Sequence, residues 1–384
     1  MTRHRILIAG LGDSGVLTAI RLARHADVTA ISVKPGLLSG QELGTRLARP
    51  AEWAREYWVP FDRLRGLDRV RIVHASLTGL DLTQRRVFAT GMDGNARVEP
   101  YDLLVISSGV RNGFWRTPDM QSDGQISAAL RAAHDRLAAA DSIAVVGGGA
   151  SAVSSAVNLA RVWPHKQVAM YFPGERALTG HHRRTWTHVE RTLIDLGVRL
   201  YPAHRALVPD AFSGESITSD PIVWRTGQPD VHADAVLWTI GRVRPNTAWL
   251  PGELLDGDGF VRVSPHLQVP GHPDIFAIGD VAATDPLRSS ARNRADSLLA
   301  RNIRAALRGK PLRSYRPARR RWGSVLGPQP DGLQVFTPSG FPVRFPAWSI
   351  ETILRPWIVH RGIYRGVRDN SAVAAGLPGV GGSR

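Results

Sequence analysis

Two glycine-rich turns carry the clearest chemical signal in the 384-residue sequence. RILIAGLGDSG runs from an apolar stretch into Gly10, Gly12 and Gly15, and IAVVGGGASA does the same at Gly147 and Gly149. In such a turn the first glycine allows a tight bend, the second lets backbone N–H groups approach a pyrophosphate, and the third lets a helix pack closely on a strand. One copy alone is also compatible with a plain strand-to-helix turn, but the recurrence favours two dinucleotide sites.

Asp13 is a surprising neighbour for a phosphate, because it places a carboxylate among the glycines of the first turn. The residue after the second glycine usually directs its side chain away from the phosphates and contributes its backbone N–H. An acid in the first turn of a helix is also favoured by the helix dipole, by roughly 0.3 to 1 kcal/mol. We therefore expect Asp13 to lie beside a phosphate site without closing it.

A ribose-binding acid is expected about 20 residues after each turn, at the end of the second strand. The chain instead has Ser32 followed by Lys34 in the first unit, and Phe172 followed by Arg176 in the second. Serine can hydrogen-bond a ribose hydroxyl, and Lys34 can pair with a phosphate or lie in solvent. The missing acid and the nearby Arg176 point towards the 2′-phosphate of NADPH, although a surface role for Arg176 fits equally well, so the choice between NADH and NADPH stays open.

The elements that must position these turns follow a repeated order of strand, glycine turn, helix and strand, with the two turns 137 residues apart. That spacing is too long for one βαβ unit, so the sequence predicts an α/β fold with two nucleotide-binding units and parallel sheets. The predicted strands are 5–9, 28–33, 102–107, 166–172, 233–241 and 274–280, with short strands within 69–100 and 259–269 and hairpins over 323–346. The predicted helices are 13–25 and 289–309, the connection 37–53 has helical character, and 143–163 is predicted as a strand, glycine turn and helix.

The amino-acid composition excludes several classes of protein. The chain has no cysteine, which excludes structural disulfides, thiolate metal sites and a dithiol relay from these residues. The net charge of +16 comes almost wholly from arginines spread through every segment, which indicates a compositional bias more than a nucleic-acid face. No stretch approaches about 18 uninterrupted apolar residues, and the basic start leads into a glycine motif, so we expect a cytoplasmic protein.

The remaining candidates have plainer interpretations. His181, His182 and His188 form a cluster whose spacing fits no common zinc pattern, so we interpret it as an exposed helix face and predict no metal. The aromatic and basic segment 348–368 is suited to an anionic membrane surface, but Pro356 should interrupt a helix there, which favours a folded cap with a basic rim. Residues 371–384 have the composition of a frayed tail.

Five motifs in fixed order carry a resemblance to a known family: IAGLGDSG, LLVISSG, VVGGGASA, VLWTIGRVRP and DIFAIGDVA. Together they resemble the flavoproteins of the pyridine-nucleotide oxidoreductase superfamily, which have two dinucleotide-binding domains. The absence of cysteine and the long basic C-terminal segment make the chain most similar to apoptosis-inducing-factor-like proteins and type II NADH dehydrogenases. The resemblance implies two nested Rossmann-like domains and a small C-terminal α+β segment. The implied bounds are 1–115 and 246–310 for the FAD domain, 116–245 for the NAD(P) domain and 311–384 for the C-terminal segment.

The resemblance also implies cofactors and residue roles. FAD would lie on the first unit, with Asp280 bonded to its ribityl chain or pyrophosphate, Gly279 allowing close approach, and a helix from about Ser289 pointing its amino end at the flavin. NAD(P)H would lie on the second unit and pass hydride directly to the flavin, so we assign no catalytic acid or base. The implied cofactor-binding residues are Gly10, Gly12, Asp13, Ser14, Gly15, Ser32, Lys34, Ser108, Gly109, Gly147, Gly149, Ala150, Ser151, Arg176, Gly241, Gly279 and Asp280.

One departure from the family concerns the nicotinamide. Many relatives carry a glutamate on the helix after the second glycine turn, and this chain has Ser154 there. With Phe172 in place of a ribose-binding acid, the nicotinamide site has the least support from the sequence.

Three functions therefore remain open. The first is an FAD-dependent NAD(P)H dehydrogenase that passes electrons to a quinone or another small acceptor, with peripheral membrane contact through the C-terminal segment. The second is a ferredoxin-type reductase. The third, which Ser154 and Phe172 keep in view, is a non-catalytic nucleotide-sensing or membrane-associated binding protein. The sequence gives no prediction of oligomeric state.

Overall fold

The computed structural model describes residues 3–38, 43–111, 118–208, 216–240, 243–284, 295–316 and 322–368. Its strands are, in chain order, β1 Arg5–Ala9, β2 Asp27–Ser32, β3 Gly36–Leu38, β4 Trp58–Pro60, β5 Val70–Asp81, β6 Arg86–Gly91, β7 Ala96–Pro100, β8 Leu103–Ile106, β9 Val110–Arg111, β10 Ser142–Val146, β11 Gln167–Tyr171, β12 Arg199–Tyr201, β13 Ser216–Thr218, β14 Ala235–Trp238, β15 Arg244–Pro245, β16 Gln268–Val269, β17 His272–Ala277, β18 Pro328–Gln329, β19 Gly332–Phe336 and β20 Pro342–Pro346.

The α-helices of the described residues are α1 Asp13–Leu22, α2 Leu43–Ala48, α3 Pro50–Tyr57, α4 Asp123–Ala139, α5 Ala150–Val162, α6 Arg183–Asp195 and α7 Ala295–Ala306. Short 3-10 helices lie at Phe61–Arg63, Arg65–Leu67 and Gly252–Leu254. A C-terminal helix begins at Ala347–Ser349 and continues as a π-helix over Ile350–Ile363.

The first sheet has eight strands in the order β16, β17, β8, β1, β2, β5, β6 and β7. Strands β17, β8, β1, β2 and β5 run parallel, whereas β6 and β7 continue from β5 as an antiparallel meander. All four residues of β8 and the last four of β1 are buried, as expected for central strands covered on both faces. The chain moves from β1 to β2 on one side and returns to β8 on the other, which opens a crevice at the carboxyl ends of the strands.

The second sheet repeats this plan with five strands in the order β12, β11, β10, β14 and β13. Strand β10 lies between β11 and β14, in the same relation that β1 has to β2 and β8. Its crevice therefore also opens at the carboxyl end of the central strand, where a glycine turn follows.

Hydrophobic packing joins the two sheets through helices. Helices α2 and α3, which follow β2 along the chain, pack on α4 and α5 of the second unit. Leu43 and Leu47 of α2 share a buried apolar cluster with Val153 and Val157 of α5. The first sheet has its own cluster with α1 and α7, in which the buried Tyr364 from the C-terminal segment takes part.

The α/β fold class and most strands of both glycine units are confirmed, because short buried strands beside glycine turns are local signals. Helix α1 ends at Leu22, earlier than predicted, and only Gln268–Val269 becomes a regular strand in the stretch 259–269. Of the helix predicted from 289, the described part begins at Ala295. Helix α4 was not predicted, although Ser122 and Gln125 form a capping box at its start.

The prediction that Pro356 interrupts the C-terminal helix is wrong, since the helix continues through it as a π-helix. In an α-helix the proline ring clashes with the carbonyl four residues earlier, whereas a π-helix joins residues that are five apart. The segment that follows pairs with the first unit: the N–H of Arg65 donates to the Gly366 carbonyl at 3.0 Å, and that of Arg368 donates to the Arg63 carbonyl at 2.8 Å.

Candidate functional site

The first glycine turn contains two glycines that are required for packing. Gly10 has a φ of +107°, and a Cβ there would lie less than 3.0 Å from the backbone of Ser107. Gly15 is buried, and its Cβ would meet the Gly10 carbonyl oxygen equally closely. These two positions therefore bring α1 and β8 against the end of β1, and Ser107 secures the contact by donating its hydroxyl to the Gly10 carbonyl at 2.7 Å.

Gly12 differs from them because it faces open space. It is exposed, and a Cβ on it would meet no other atom within 4 Å. It is also the N-cap of α1 and makes no side-chain capping bond, so no N-cap side chain competes for the backbone N–H groups of the first turn. Open space beside the amino end of a helix suits a diphosphate, and the turn fits that ligand.

Asp13 is directed towards the C-terminal segment. The hydroxyl of Tyr364 donates to the Asp13 carboxylate at 3.4 Å, and Tyr364 itself is buried. A residue late in the chain thus contacts the first turn of α1.

The end of β17 meets the same turn. Gly279 has a φ of +82°, and a Cβ there would lie 3.1 Å from the Ser14 hydroxyl oxygen, so the two segments approach closely. Asp280 follows directly and is half-buried. The structure therefore brings Gly12, Ser14, Gly279 and Asp280 to one crevice, although they are far apart in the sequence.

Ser108 and Gly109 lie where the chain leaves β8 for the second unit, and Gly109 has a φ of +68°. The Ser108 hydroxyl donates to the Asn246 carbonyl at 2.8 Å, and the Asn246 side-chain amide donates to the Ser108 carbonyl at 3.0 Å. Strands β9 and β15 pair just beyond this contact. Asn246 was missed by sequence reasoning, because its partner is 138 residues away. Gly241, predicted for the second crossing position, lies outside the described residues.

Ser32 and Lys34 form a local turn at the end of β2. The Ser32 hydroxyl donates to the Lys34 carbonyl at 2.8 Å and accepts from the Lys34 backbone N–H at 3.2 Å. Ser32 is only 7% exposed, and its hydrogen is already used. The Ser32 oxygen would therefore accept a hydrogen bond from a ribose hydroxyl, whereas it has no hydrogen left to donate.

The second glycine turn has the same design. A Cβ on Gly147, whose φ is +146°, would lie less than 3.0 Å from the Thr239 hydroxyl oxygen. Thr239 occupies the position that Ser107 has in the first unit and donates to the Val146 carbonyl at 2.8 Å. Gly149 is exposed, caps α5 without a side-chain bond, and would carry a Cβ with no atom within 4 Å. Ala150 and Ser151, next along α5, are exposed and half-buried, so this turn also fits a diphosphate.

Arg176 holds the loop beside this turn. Its guanidinium donates to the Leu178 and Thr179 carbonyls at 3.3 Å and to the His181 carbonyl at 3.5 Å. The N–H of Leu178 in turn donates to the Gly148 carbonyl at 2.7 Å, which ties the loop to the glycine turn. Burial and the nearby Arg176 lower the pKa of His181 below its usual value, which favours the neutral ring.

Two side chains that replace expected acids of the nicotinamide cofactor site are enclosed by protein: Phe172 at the ribose position and Ser154 at the position near the nicotinamide. Phe172 is 2% exposed and packs edge-on against Trp186 at 5.5 Å between ring centroids. Ser154 is also buried, and its carbonyl lies against Gly44 of α2, where a Cβ would come within 3.0 Å. Both side chains therefore belong to the packing around α5.

The three histidines have separate surroundings. His182 caps α6 by accepting from the Arg184 N–H at 3.2 Å, and His188 Nε2 lies 2.7 Å from the Gln334 amide nitrogen. His188 also packs edge-on against Phe336 of the C-terminal hairpin, so the face predicted to be exposed is partly covered. Within the ranges that the structure describes, no three His, Cys, Asp or Glu side chains are placed to hold a metal ion. None of the helices in those ranges is long and apolar enough to span a bilayer.

Comparisons with known proteins agree with this architecture. The family model for pyridine nucleotide-disulphide oxidoreductases matches residues 4–303. Oxidoreductase ptaL from Pestalotiopsis fici is 26% identical over an aligned length of 388 residues, covering 93% of this chain and 96% of that protein. The water-forming NADH oxidase from Lactobacillus brevis, solved with NADH, has a TM-score of 0.62 at 21% identity, covering 81% of this chain and 71% of its own. The covalent putidaredoxin reductase–putidaredoxin complex has a TM-score of 0.61 at 19% identity, covering 88% and 87%.

At these identities the two solved structures establish the fold alone. The family model, by contrast, spans well over half of the sequence. This chain belongs to the pyridine nucleotide-disulphide oxidoreductase family.

Proposed function

We propose that this family member is an FAD-dependent NAD(P)H dehydrogenase with one dinucleotide on each glycine turn. The proposal rests on one observation: Gly12 and Gly149 each leave open space at the amino end of a helix that has no side-chain cap, at the carboxyl edge of its own sheet. We assign FAD to a domain made of 1–115 and 246–310 and NAD(P)H to residues 116–245, with 311–384 as a C-terminal segment. When bound, the flavin supplies the ring that accepts a hydride from the nicotinamide.

The role of the chain's own residues is to bind the two cofactors and to orient them. The first-turn amides of α1, including those of Asp13 and Ser14, would hold the FAD diphosphate, and Asp280 would accept a hydrogen bond from the hydroxyl-rich part of FAD. Ser108 and Gly109, held by Asn246, would form one wall of the same crevice. Ser32 and Lys34 would contact the adenosine end.

On the second unit, the amides of Ala150 and Ser151 would hold the NAD(P)H diphosphate. Arg176 supports its loop through three carbonyl contacts, which places a positive charge beside the turn. Phe172 and not an acid directly follows β11, although Glu175 precedes Arg176 in the same loop. This arrangement accepts either nicotinamide cofactor. Since the chain has no cysteine, electrons leave the flavin without a dithiol of this chain.

The purified protein tests the proposal. We expect a yellow preparation that releases FAD on denaturation and loses its flavin absorbance within milliseconds to seconds of mixing with NADH or NADPH without oxygen. A colourless protein that FAD cannot reconstitute would contradict the assignment. Bound flavin that neither nicotinamide bleaches would favour a non-catalytic nucleotide sensor instead.

A quinone in a membrane is the acceptor that the C-terminal helix favours. Trp348 and Trp357 are 63% and 58% exposed, and Ile353 and Ile358 on the same helix are exposed as well. The Arg361 guanidinium lies 5.1 Å from the centre of the Trp357 ring, which adds a cation to this apolar surface. Exposed tryptophans beside arginine are suited to the interface of an anionic bilayer. A small acidic iron–sulfur protein is the alternative acceptor, suited to the net charge of +16.

Replacing both tryptophans tests the membrane surface. We expect Trp348→Ala with Trp357→Ala to reduce co-sedimentation with phosphatidylglycerol vesicles at least about tenfold, because each ring buries large apolar area. Met92→Ala is the control, since Met92 is equally exposed but lies beyond β6 in the first unit. A second measurement compares electron acceptors with the wild-type protein. We expect NAD(P)H turnover to be faster with a quinone than with the iron–sulfur protein, and the opposite order would favour a ferredoxin-type reductase.

Asp280→Ala tests the flavin crevice. Loss of a hydrogen bond that a charged acceptor receives costs about 1.5 to 3 kcal/mol, so FAD affinity should fall roughly tenfold to a hundredfold. Asp274→Ala is a matched control, because Asp274 lies in β17 and pairs with Arg85 at 3.1 Å. Fluorescence of released FAD measures both variants. If the control loses as much flavin as Asp280→Ala, damage to β17 and not a flavin contact explains the loss.

A further inference from the structure

Asn158 of α5 lies at a junction of three parts of the chain. It is 1% exposed and makes hydrogen bonds through both ends of its carboxamide. The side-chain nitrogen donates to the Ser154 carbonyl at 2.8 Å and to the Leu326 carbonyl at 3.0 Å. The side-chain oxygen accepts from the Arg49 guanidinium at 3.0 Å and from the Gln329 amide at 3.3 Å. The full hydrogen-bonding capacity of this buried amide is therefore used.

The partners come from different units. Arg49 lies between α2 and α3 in the part of the chain assigned to FAD, whereas Ser154 is on the helix that follows the second glycine turn. Leu326 and Gln329 belong to the C-terminal segment, and Arg49 also donates to the Pro328 carbonyl there at 2.7 Å. One side chain thus joins all three.

The surroundings of Asn158 hold α2 and α5 in one relative position. Leu43, Leu47, Val153 and Val157 belong to the buried apolar cluster that α2 and α5 share, and Asn158 of α5 is itself buried. A displaced polar group would therefore lose its partners where water cannot replace them. Beside it, the backbones of α2 and α5 touch at Gly44, where a Cβ would lie within 3.0 Å of the Ser154 carbonyl. Sliding one helix along the other would therefore break hydrogen bonds and create a clash.

Building on the proposed function, we propose that Asn158 is a positioning residue for hydride transfer, which fixes the second glycine turn relative to the first. Helix α5 begins at Ala150, directly after its N-cap Gly149, so Asn158 controls the direction of the helix whose amino end would hold the nicotinamide cofactor. Hydride transfer needs the reacting atoms about 3 to 3.5 Å apart, and a misplacement of about 1 Å can slow a reaction roughly a hundredfold. An Asn158 defect should therefore slow the transfer step while leaving each cofactor bound.

Asn302 provides a matched control. It is fully buried on α7, donates to the His266 and Arg313 carbonyls at 2.9 and 2.8 Å, and accepts from the Arg313 N–H at 2.9 Å. In the part of the chain that the structure describes, its hydrogen-bond partners His266 and Arg313 both lie outside residues 116–245. Asn302 therefore resembles Asn158 chemically without joining the two glycine turns.

The test compares Asn158→Ala, Arg49→Ala and Asn302→Ala in the full chain loaded with FAD. We expect the limiting rate of flavin reduction at saturating NAD(P)H to fall about tenfold to a hundredfold in the first two and to stay unchanged in Asn302→Ala. FAD content and NAD(P)H affinity should stay as in the wild type. Amide hydrogen exchange should rise in α2 and α5 for the first two variants only. Arg49→Ala keeps the hydrogen bonds from Asn158 to the Ser154 and Leu326 carbonyls. It therefore tests the same junction if Asn158→Ala does not fold.

Coupling gives a further check, because Arg49→Ala and Asn158→Ala should be strongly non-additive if they act through one junction. If Arg49→Ala and Asn158→Ala both reduce the flavin at the same limiting rate as Asn302→Ala, the positioning role is overturned, while the proposed function still stands. A wild-type flavin that no nicotinamide reduces would instead overturn the proposed function on which this inference rests.

Discussion

Gly149→Asp should abolish reduction of the flavin by NAD(P)H while the protein keeps its fold and its FAD. Gly149 has an extended backbone, with φ −90° and ψ −178°, and a side chain there would enter open space. Aspartate is among the best N-cap residues, so α5 should gain a few tenths of a kcal/mol in stability. The new carboxylate would, however, occupy the helix end that we assign to the NAD(P)H diphosphate.

The size of the effect follows from electrostatics. Two like charges about 4 Å apart repel by about 4 kcal/mol at an effective dielectric constant of 20, equivalent to roughly a thousandfold in affinity. Even with strong screening, the dissociation constant for NAD(P)H should rise more than about a hundredfold. Stopped-flow bleaching of the flavin at increasing NAD(P)H measures this, and thermal unfolding checks the fold.

Gly149→Ala separates charge from size. It adds only a methyl group in the same open space, so we expect a smaller loss of NAD(P)H affinity than with aspartate and an unchanged FAD content. Loss of FAD from Gly149→Asp with normal binding of NAD(P)H would show that the two cofactors are assigned to the wrong turns.

The sequence predicts the two turns well because their signals are local. An apolar strand, a glycine bend and a helix fall within about 20 residues, and the parallel order of the sheets follows from their repetition. Ser107 and Thr239 could not be predicted in the same way. Each closes its turn from the neighbouring strand, and only the folded sheet brings a hydroxyl from residue 107 or 239 to the first or second glycine bend.

Asn158 and Asn246 illustrate the same limit. In the sequence both are ordinary polar residues without a motif. Three of the four partners of Asn158 are at least 109 residues away, and Ser108, the partner of Asn246, is 138 residues away. Helix α4, in contrast, was missed although Ser122 and Gln125 gave a readable start signal. Ser154 was interpreted through a family position, but its surroundings depend on how closely Gly44 lets α2 approach, which no local pattern specifies.

The two turns differ at their third small residue, and the difference has a steric meaning. Gly15 in the first turn has no room for a Cβ, whereas the second turn carries Ala152, which is fully buried with its methyl group in place. The second turn therefore accommodates a Cβ at a position where the first turn does not. The motif thus contains two kinds of small residue, one needed for packing and one for access.

Substitutions within the first turn should separate these two roles. We expect Gly15→Ala to destabilise the chain by about 1 to 3 kcal/mol, because its Cβ would overlap the Gly10 carbonyl oxygen. Gly12→Ala adds the same methyl group in open space, so it should cost about 1 kcal/mol or less as a poorer N-cap. Thermal unfolding with excess FAD measures the stability of both variants, and FAD titration measures their affinity for FAD.

Gly12→Ala and Gly15→Ala should therefore rank in opposite orders in thermal stability and in FAD affinity. Gly12→Ala should be the more stable of the pair yet bind FAD at least about tenfold more weakly than the wild type, since its methyl group stands where the diphosphate must approach the helix end. Ala152→Gly in the second turn completes the comparison and should cost about 1 to 2 kcal/mol. A glycine inside a helix costs about 0.5 to 1 kcal/mol, and the lost buried methyl group adds about 0.8 kcal/mol. Equal FAD affinity in Gly12→Ala and the wild type would mean that the first turn packs α1 without holding a dinucleotide.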